Sequence, residues 1–146
     1  MGQVLLFRLG EDSFALEVTA LQEVVDHPAL HYLPQAPEHF LGAINVHGQV
    51  LPLLDLSGFL GYPQRPRHTR YIVLAPEVCA VALAVDNVGR IVTPDEPEGE
   101  EDQSTQTGPR SEEIMCGGVQ VRLLDAGQLH ARLEQMFQVT GGQDGV

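Results

Sequence analysis

The residues of this chain best suited to chemistry are its six histidines, and their spacing does not favour a catalytic or metal-binding group. His27 and His31 are four residues apart, a spacing that suits zinc only when both lie on one helix. Pro28 lies between them and argues against a helix, because proline lacks the backbone N–H and clashes with the preceding turn. The remaining four are scattered along the chain: His39, His47, His68 and His130. The sequence therefore predicts no metal and no cofactor.

The serines and carboxylates give no better case for an enzyme. No serine lies in a Gly-x-Ser-x-Gly turn, and the two Gly-Gly pairs lack the Lys and Ser/Thr that complete a phosphate-binding loop. Eight of the twenty acidic residues lie between Asp95 and Glu113, a segment without hydrophobic periodicity that cannot hold two carboxylates at a fixed separation. We therefore expect no catalytic residues, and a mobile acidic loop over 95–113.

Composition limits the class of protein and of partner. With 43% hydrophobic and 19% charged residues, the chain is expected to fold around one core. A net charge of −12 argues against nucleic acid and anionic membrane surfaces, which require Lys and Arg. The first residues lack a basic region, and Arg8 interrupts their apolar run, so we expect neither a signal peptide nor membrane insertion, and a cytoplasmic protein. Cys79 and Cys116 are too few for a disulfide framework and are expected to be inert.

Hydrophobic alternation predicts short strands joined by tight turns. Residues 4–9 and 14–18 form one predicted hairpin, and residues 40–46 and 50–54 form another around His47-Gly48-Gln49. Asp55 and Asp125 each follow a strand and are expected to cap a helix, the second of which has an apolar stripe that ends near residue 137. Four branched residues of these strands are expected in the core: Val24, Ile44, Val46 and Val50. Five others are expected to serve turn geometry and capping: Gly42, Asn45, Gly48, Pro52 and Asp55.

An internal repeat organises these elements. Residues 48–55 are similar in sequence to residues 118–125, at an offset of 70. Residues 14–18 are similar to residues 81–85, at an offset of 67. The two copies, 14–55 and 81–125, hold four or five strands and one capped helix each, too little to fold separately. We expect an all-β protein with short helices, in which two intertwined barrel lobes form a single domain over 1–138. Residues 139–146 are expected to be a flexible tail.

The pattern Gly-x-x-Asn-x-x-Gly-x-x-x-Pro-x-x-Asp-Leu from Gly42 to Leu56 resembles the CheW-like domain. Residues 6–10, 14–18 and 123–125 extend this resemblance, which spans about 3–137. It implies two SH3-like five-stranded barrels and a non-catalytic scaffold. In the family, this scaffold couples the signalling tip of a methyl-accepting chemoreceptor to the regulatory domain of a CheA-like histidine kinase in bacterial chemotaxis. A coupler for twitching, type IV pili or another surface behaviour remains an alternative.

The resemblance also implies where partners would bind. Where the family usually carries Arg in an Asn-x-Arg-Gly stretch, this chain has His47. In the family that Arg tends to lie near an acidic residue matching Glu23, on the surface used with receptors. The expected partner-binding residues are Glu23, Val24, Asn45, Val46, His47 and Gly48. A small-ligand-binding barrel, with His39, His47 or Glu23 orienting the ligand, is the hypothesis from a different class.

Overall fold

The structure is a computed structural model that describes residues 2–26, 28–63, 70–96 and 112–144. Within these ranges the chain is mostly β, with two five-stranded sheets and few helices. The strands are β1 (Val4–Leu9), β2 (Asp12–Glu17), β3 (Leu21–Asp26), β4 (Phe40–Val46), β5 (Gln49–Asp55), β6 (Arg70–Leu74), β7 (Ala82–Ala84), β8 (Asn87–Val92), β9 (Glu112–Cys116) and β10 (Val119–Leu123). Helix α1 spans Leu56–Phe59, helix α2 spans Ala126–Asp144, and a 3-10 turn spans Val18–Ala20.

The two halves of the chain exchange their first hairpin. Sheet A has the order β8-β1-β2-β10-β9, and sheet B has the order β3-β6-β7-β5-β4. When the first-half strands β1 to β5 are matched with the second-half strands β6 to β10, the two orders are the same. Each sheet therefore consists of the first two strands of one half and the last three of the other, joined by the parallel pairs β2–β10 and β5–β7. Neither half can form its sheet without the other.

The described residues form three hydrophobic clusters, because the central strands bury side chains on both faces. One cluster lies on the inner face of sheet A, a second on the inner face of sheet B, and the largest lies between the sheets and under α2. In β1, Val4 belongs to the sheet A cluster, whereas Leu5 and Phe7 belong to the shared cluster. In β7, Ala82 packs inside sheet B, while Leu83 points into the shared cluster. The shared cluster makes the two sheets one packed unit.

The predicted hairpins and caps are confirmed. Strands β1–β2 and β4–β5 pair antiparallel, and the second turn has φ of 54° at His47 and 86° at Gly48, as a type I′ turn requires. The carboxylate of Asp55 accepts from the backbone N–H of Gly58 at 3.3 Å, and Asp125 caps α2 in the same way through Gln128, at 3.0 Å.

Three predictions need correction: those of turn geometry for Gly42 and Pro52, and that of core packing for Val50. Pro52 lies inside β5, opposite Ala43 of β4. Gly42 does not serve a turn: it lies inside β4, where an added Cβ would be 2.5 Å from the carbonyl oxygen of His31. Its lack of a side chain therefore allows a loop to approach the strand closely. Val50 is 64% exposed rather than in the core, since it faces opposite to its buried neighbour Leu51.

The described strands do not pair into closed barrels, so the predicted SH3-like closure is not seen in the strand ladders. Instead, in each sheet the residues that follow one edge strand contact the other edge strand. In sheet B, His31 exchanges two 2.8 Å backbone hydrogen bonds with Ala43 of β4. In sheet A, the backbone N–H of Asp95 donates to the carbonyl of Met115 at 2.7 Å. The carboxylate of Asp95 accepts hydrogen bonds from the backbone N–H groups of Gly117 and Gly118 in the β9–β10 turn. Pro28 follows β3 and Pro94 follows β8, and neither has the backbone N–H that would continue the strand pairing.

Two predicted segments are described only in part. Asp95 and Glu96 precede the undescribed residues 97–111 of the acidic loop, and β9 begins at Glu112. Helix α2 continues through Asp144 and so includes most of the residues assigned to a flexible tail; 145 and 146 lie outside the described residues.

Candidate partner-binding site

Glu23 and His47 come together at one end of sheet B. The Nε2 atom of His47 lies 2.7 Å from Oε2 of Glu23. Glu23 is on edge strand β3, and His47 is in the turn that follows β4, the opposite edge strand. The pair therefore spans the gap between the two edges, and it places an imidazole and a carboxylate on the surface.

The turn that carries His47 is held by its own residues. The side-chain oxygen of Asn45 accepts from the backbone N–H of Gly48 at 2.9 Å. His47 has the left-handed φ of 54°, which is uncommon for a residue with a side chain and is accepted here because type I′ geometry matches the twist of the strands. The short turn thus fixes the direction in which the imidazole leaves the backbone.

Solvent exposure limits what the ion pair contributes to stability. The side chain of His47 is 74% exposed and that of Glu23 is 30% exposed. Exposed ion pairs stabilise a fold by about 0.2–1 kcal/mol. Further along β3, Asp26 and Arg70 form a second exposed pair, with Nε 3.1 Å from Oδ1. Because neither pair is buried, their polar groups remain available for contacts with another molecule.

The other predicted partner-binding residues divide between surface and core. Asn45 and Gly48 are exposed. Val46 is only 5% exposed and packs inside sheet B, and Val24 is half-buried against the shared cluster. Alternation along the strand explains the difference, because neighbouring residues of β4 point to opposite faces. Of the six, the groups presented to solvent are those of Glu23, Asn45, His47 and Gly48.

Val50 is the exposed apolar neighbour that the sequence reasoning assigned to the core. It lies opposite Asn45 in the β4–β5 register and is 64% exposed. The sequence holds a signal for this exposure: Leu51 and Leu53 are buried on one face of β5, and Val50, one position before Leu51, points to the opposite face. Val50 therefore adds an apolar surface beside the Glu23–His47 pair.

The geometry does not assemble the predicted ligand site. His39 precedes β4 and His47 follows it, so a strand of seven residues, about 23 Å long, separates them. The ring of His39 instead contacts the ring of Phe59, with centroids 6.0 Å apart. A cavity of about 480 Å³ lies elsewhere, between the end of β2 and the start of α2, and is lined by none of His39, His47 and Glu23.

Metal and thiol chemistry find little support. Across residues 2–26, 28–63, 70–96 and 112–144, no three His, Cys, Asp or Glu side chains are grouped so that they could hold a metal ion. Cys79 and Cys116 are buried free thiols. Burial raises the pKa of Cys79 to about 11, with Glu134 adding to the shift, and it also raises the pKa of Cys116. Both thiols therefore stay protonated and unreactive at neutral pH.

None of the helices in the described part of the chain is long and apolar enough to cross a membrane.

Comparison with known proteins gives matches of sequence and of fold. The family model of the CheW-like domain matches residues 3–134. Chemotaxis protein CheW of Rhizobium meliloti (strain 1021) is 32% identical over 93 residues, which cover 62% of this chain and 60% of that protein. Protein PilI of Pseudomonas aeruginosa is 36% identical over 84 residues, which cover 56% of this chain and 47% of PilI. The matched stretches thus span about half to three-fifths of these relatives.

A solved structure extends the likeness over most of the chain. The scaffolding protein TtCheW from Thermoanaerobacter tengcongensis superposes with a TM-score of 0.67 at 20% sequence identity. The alignment covers 85% of this chain and 88% of TtCheW. At this identity the likeness is one of fold.

Proposed function

This chain belongs to the CheW-like domain family, and we propose that it is a non-catalytic adaptor that couples a chemoreceptor-like protein to a CheA-like histidine kinase. The observation that carries the proposal is the family match over residues 3–134. Its partners are the signalling tip of a methyl-accepting receptor and the regulatory domain of the kinase. The cytoplasmic location expected from the sequence is part of the same proposal.

The surface around Glu23 and His47 supports a receptor contact in this proposal. It combines the exposed imidazole of His47 and the apolar side chain of Val50, both on the β4–β5 hairpin, with the carboxylate of Glu23 on β3. An Arg at position 47 would present a planar guanidinium group with five donors, whereas the imidazole of His47 is shorter and has two ring nitrogens. The receptor of this chain would therefore meet a smaller polar group with fewer donors at this point than the family's usual Arg provides.

Calorimetric titration of the full chain tests the proposal. The purified chain is titrated separately with the kinase regulatory domain and with the receptor tip from the same organism. We expect saturable binding to both, in the micromolar range or tighter. If the folded chain binds neither, the adaptor function is wrong.

Three variants locate the receptor contact. Glu23→Gln and His47→Arg should change affinity for the receptor tip while leaving thermal unfolding nearly unchanged, because the pair is exposed. Asp26→Asn is the matched control, since it removes the other exposed ion pair of β3. Equal affinities for all four proteins would exclude Glu23 and His47 from the contact while leaving the adaptor function intact.

A coupler for twitching or type IV pili is the second candidate. The similarity to a relative named Protein PilI, at 36% identity, is the observation that favours it. Titration against the kinase regulatory domains of both kinds of pathway separates the candidates, because the physiological kinase should bind more tightly.

A further inference from the structure

Two arginines lie near the end of helix α1. Arg132 is over Phe59, the last residue of the helix, and Arg122 lines a cavity with the residues that follow it, 60–62. On α2, the guanidinium carbon of Arg132 lies 4.6 Å from the ring centroid of Phe59. On β10, the guanidinium carbon of Arg122 lies 5.9 Å from the ring centroid of Phe14. A guanidinium group over the face of an aromatic ring is attracted by the negative charge of that face. The rings therefore favour one orientation of each side chain.

Arg122 also lines a cavity of about 290 Å³ between sheet A and the residues that follow α1. Its other lining residues come from β2 and from the segment that follows α1: Asp12, Phe14, Leu60, Gly61 and Tyr62. The cavity is open to solvent, and Arg122 is exposed at its edge. A side chain of another molecule could therefore enter beside the guanidinium group.

No described carboxylate forms an ion pair with Arg122 or Arg132. This is unexpected in a chain with twenty acidic residues and eight arginines. Asp12 lines the same cavity, but its carboxylate accepts a hydrogen bond from the hydroxyl of Tyr62 at 2.5 Å. Arg70, in contrast, pairs with Asp26. No described carboxylate therefore uses the donors of these two guanidinium groups, and a carboxylate of another molecule could bind them.

We propose that Arg122 and Arg132 form a docking site for the carboxylate side chains of an acidic segment of a protein partner. A guanidinium group binds a carboxylate through two parallel hydrogen bonds, and a group already held by a ring loses little freedom on binding. The site shares no residue with the Glu23–His47 surface. It goes beyond the proposed function and rests on it only in taking the partner to be a protein.

Nuclear magnetic resonance of the full chain tests this site. The arginine Nε–H signals are followed during titration with the peptide acetyl-Glu-Glu-Ala-Glu-Glu-amide, and its glutamine counterpart is the uncharged control. We expect saturable shifts of the Arg122 and Arg132 signals with the acidic peptide and none with the control. Shifts of the same size at Arg8 and Arg90, which are exposed arginines elsewhere, would overturn the proposal by showing general charge attraction.

Substitutions provide the second arm of the test. Arg122→Gln should weaken binding of the acidic peptide about tenfold, because charge-assisted hydrogen bonds are lost. Arg122→Lys should weaken it also, since lysine keeps the charge without the two-pronged geometry. Arg90→Gln is the matched control and should bind as the wild type does. Thermal unfolding of each variant establishes that it is folded.

The outcomes separate this site from the adaptor function. Wild-type affinity of folded Arg122→Gln for the acidic peptide would overturn the docking site, even if kinase and receptor still bind. Peptide binding that depends on Arg122, in a chain that binds neither kinase nor receptor, would support the docking site and contradict the proposed function.

Discussion

Replacing Gly42 by alanine should separate a loop from the edge of sheet B. The added Cβ would lie 2.5 Å from the carbonyl oxygen of His31 and 2.9 Å from Cδ1 of Leu30. Leu30 can rotate, but the carbonyl belongs to the backbone pair between His31 and Ala43, whose two hydrogen bonds are each 2.8 Å long. The loop must therefore move away, and both hydrogen bonds weaken together.

The expected loss of stability follows from these contacts. Two backbone hydrogen bonds contribute about 0.5–1.5 kcal/mol each. The φ of 153° at Gly42 is unfavourable for alanine and adds about 1 kcal/mol of strain or more. We expect the free energy of unfolding to fall by about 3 kcal/mol, which lowers the Tm by about 6–12 °C in a chain of this size.

Two other glycines provide the controls, measured by urea unfolding. Nothing lies within 4 Å of an added Cβ at Gly48, so Gly48→Ala should cost only the left-handed strain of its φ of 86°, about 1–2 kcal/mol. Gly2→Ala meets nothing and has no unusual φ, so it should leave stability unchanged. Hydrogen exchange should also become faster at the Ala43 amide in Gly42→Ala. Wild-type stability together with a protected Ala43 amide would refute this reasoning.

Two further predictions concern carboxylates that join the sheets and turns. The carboxylate of Asp86 accepts hydrogen bonds from the N–H of Gly10 at 2.5 Å and from the hydroxyl of fully buried Ser57 at 3.1 Å. Asp86→Asn should therefore lower the free energy of unfolding by about 1–3 kcal/mol, measured by urea unfolding. Equal stability of the variant and the wild type would contradict this. Burial, together with the hydrogen bond to Asp12, raises the pKa of Tyr62 from 10.0 to about 12. Since the folded chain keeps this proton while the unfolded chain loses it, stability should fall as pH rises from 10 to 12. The difference in tyrosinate absorbance between the wild type and Tyr62→Phe, followed against pH, should have its midpoint near pH 12. A midpoint near pH 10 would exclude the hydrogen bond between Tyr62 and Asp12.

Local features of the fold could be predicted from the sequence. The β1–β2 and β4–β5 hairpins depend on alternation and on turn residues a few positions apart, and the caps at Asp55 and Asp125 depend on hydrogen bonds to residues three positions ahead. The pattern from Gly42 to Leu56 likewise identified the family later matched over residues 3–134. These signals are short-range, so the order of the residues contains them.

The candidate site depended only in part on the sequence. The resemblance named Glu23 and His47 together, and the structure places them 2.7 Å apart although 24 positions separate them in the chain. Alternation alone did not say which face of each strand was inside, and Val50 was therefore assigned to the core although it is 64% exposed.

Tertiary structure alone decided which strands share a sheet. The repeat predicted two similar halves, but each sheet takes two strands from one half and three from the other. Hydrophobic alternation is equally compatible with exchanged and unexchanged hairpins, because it fixes the faces of a strand and not its neighbours. The same holds for Gly42 beneath His31 and for Arg122 over Phe14, contacts that exist only once sheet B and sheet A, respectively, have formed.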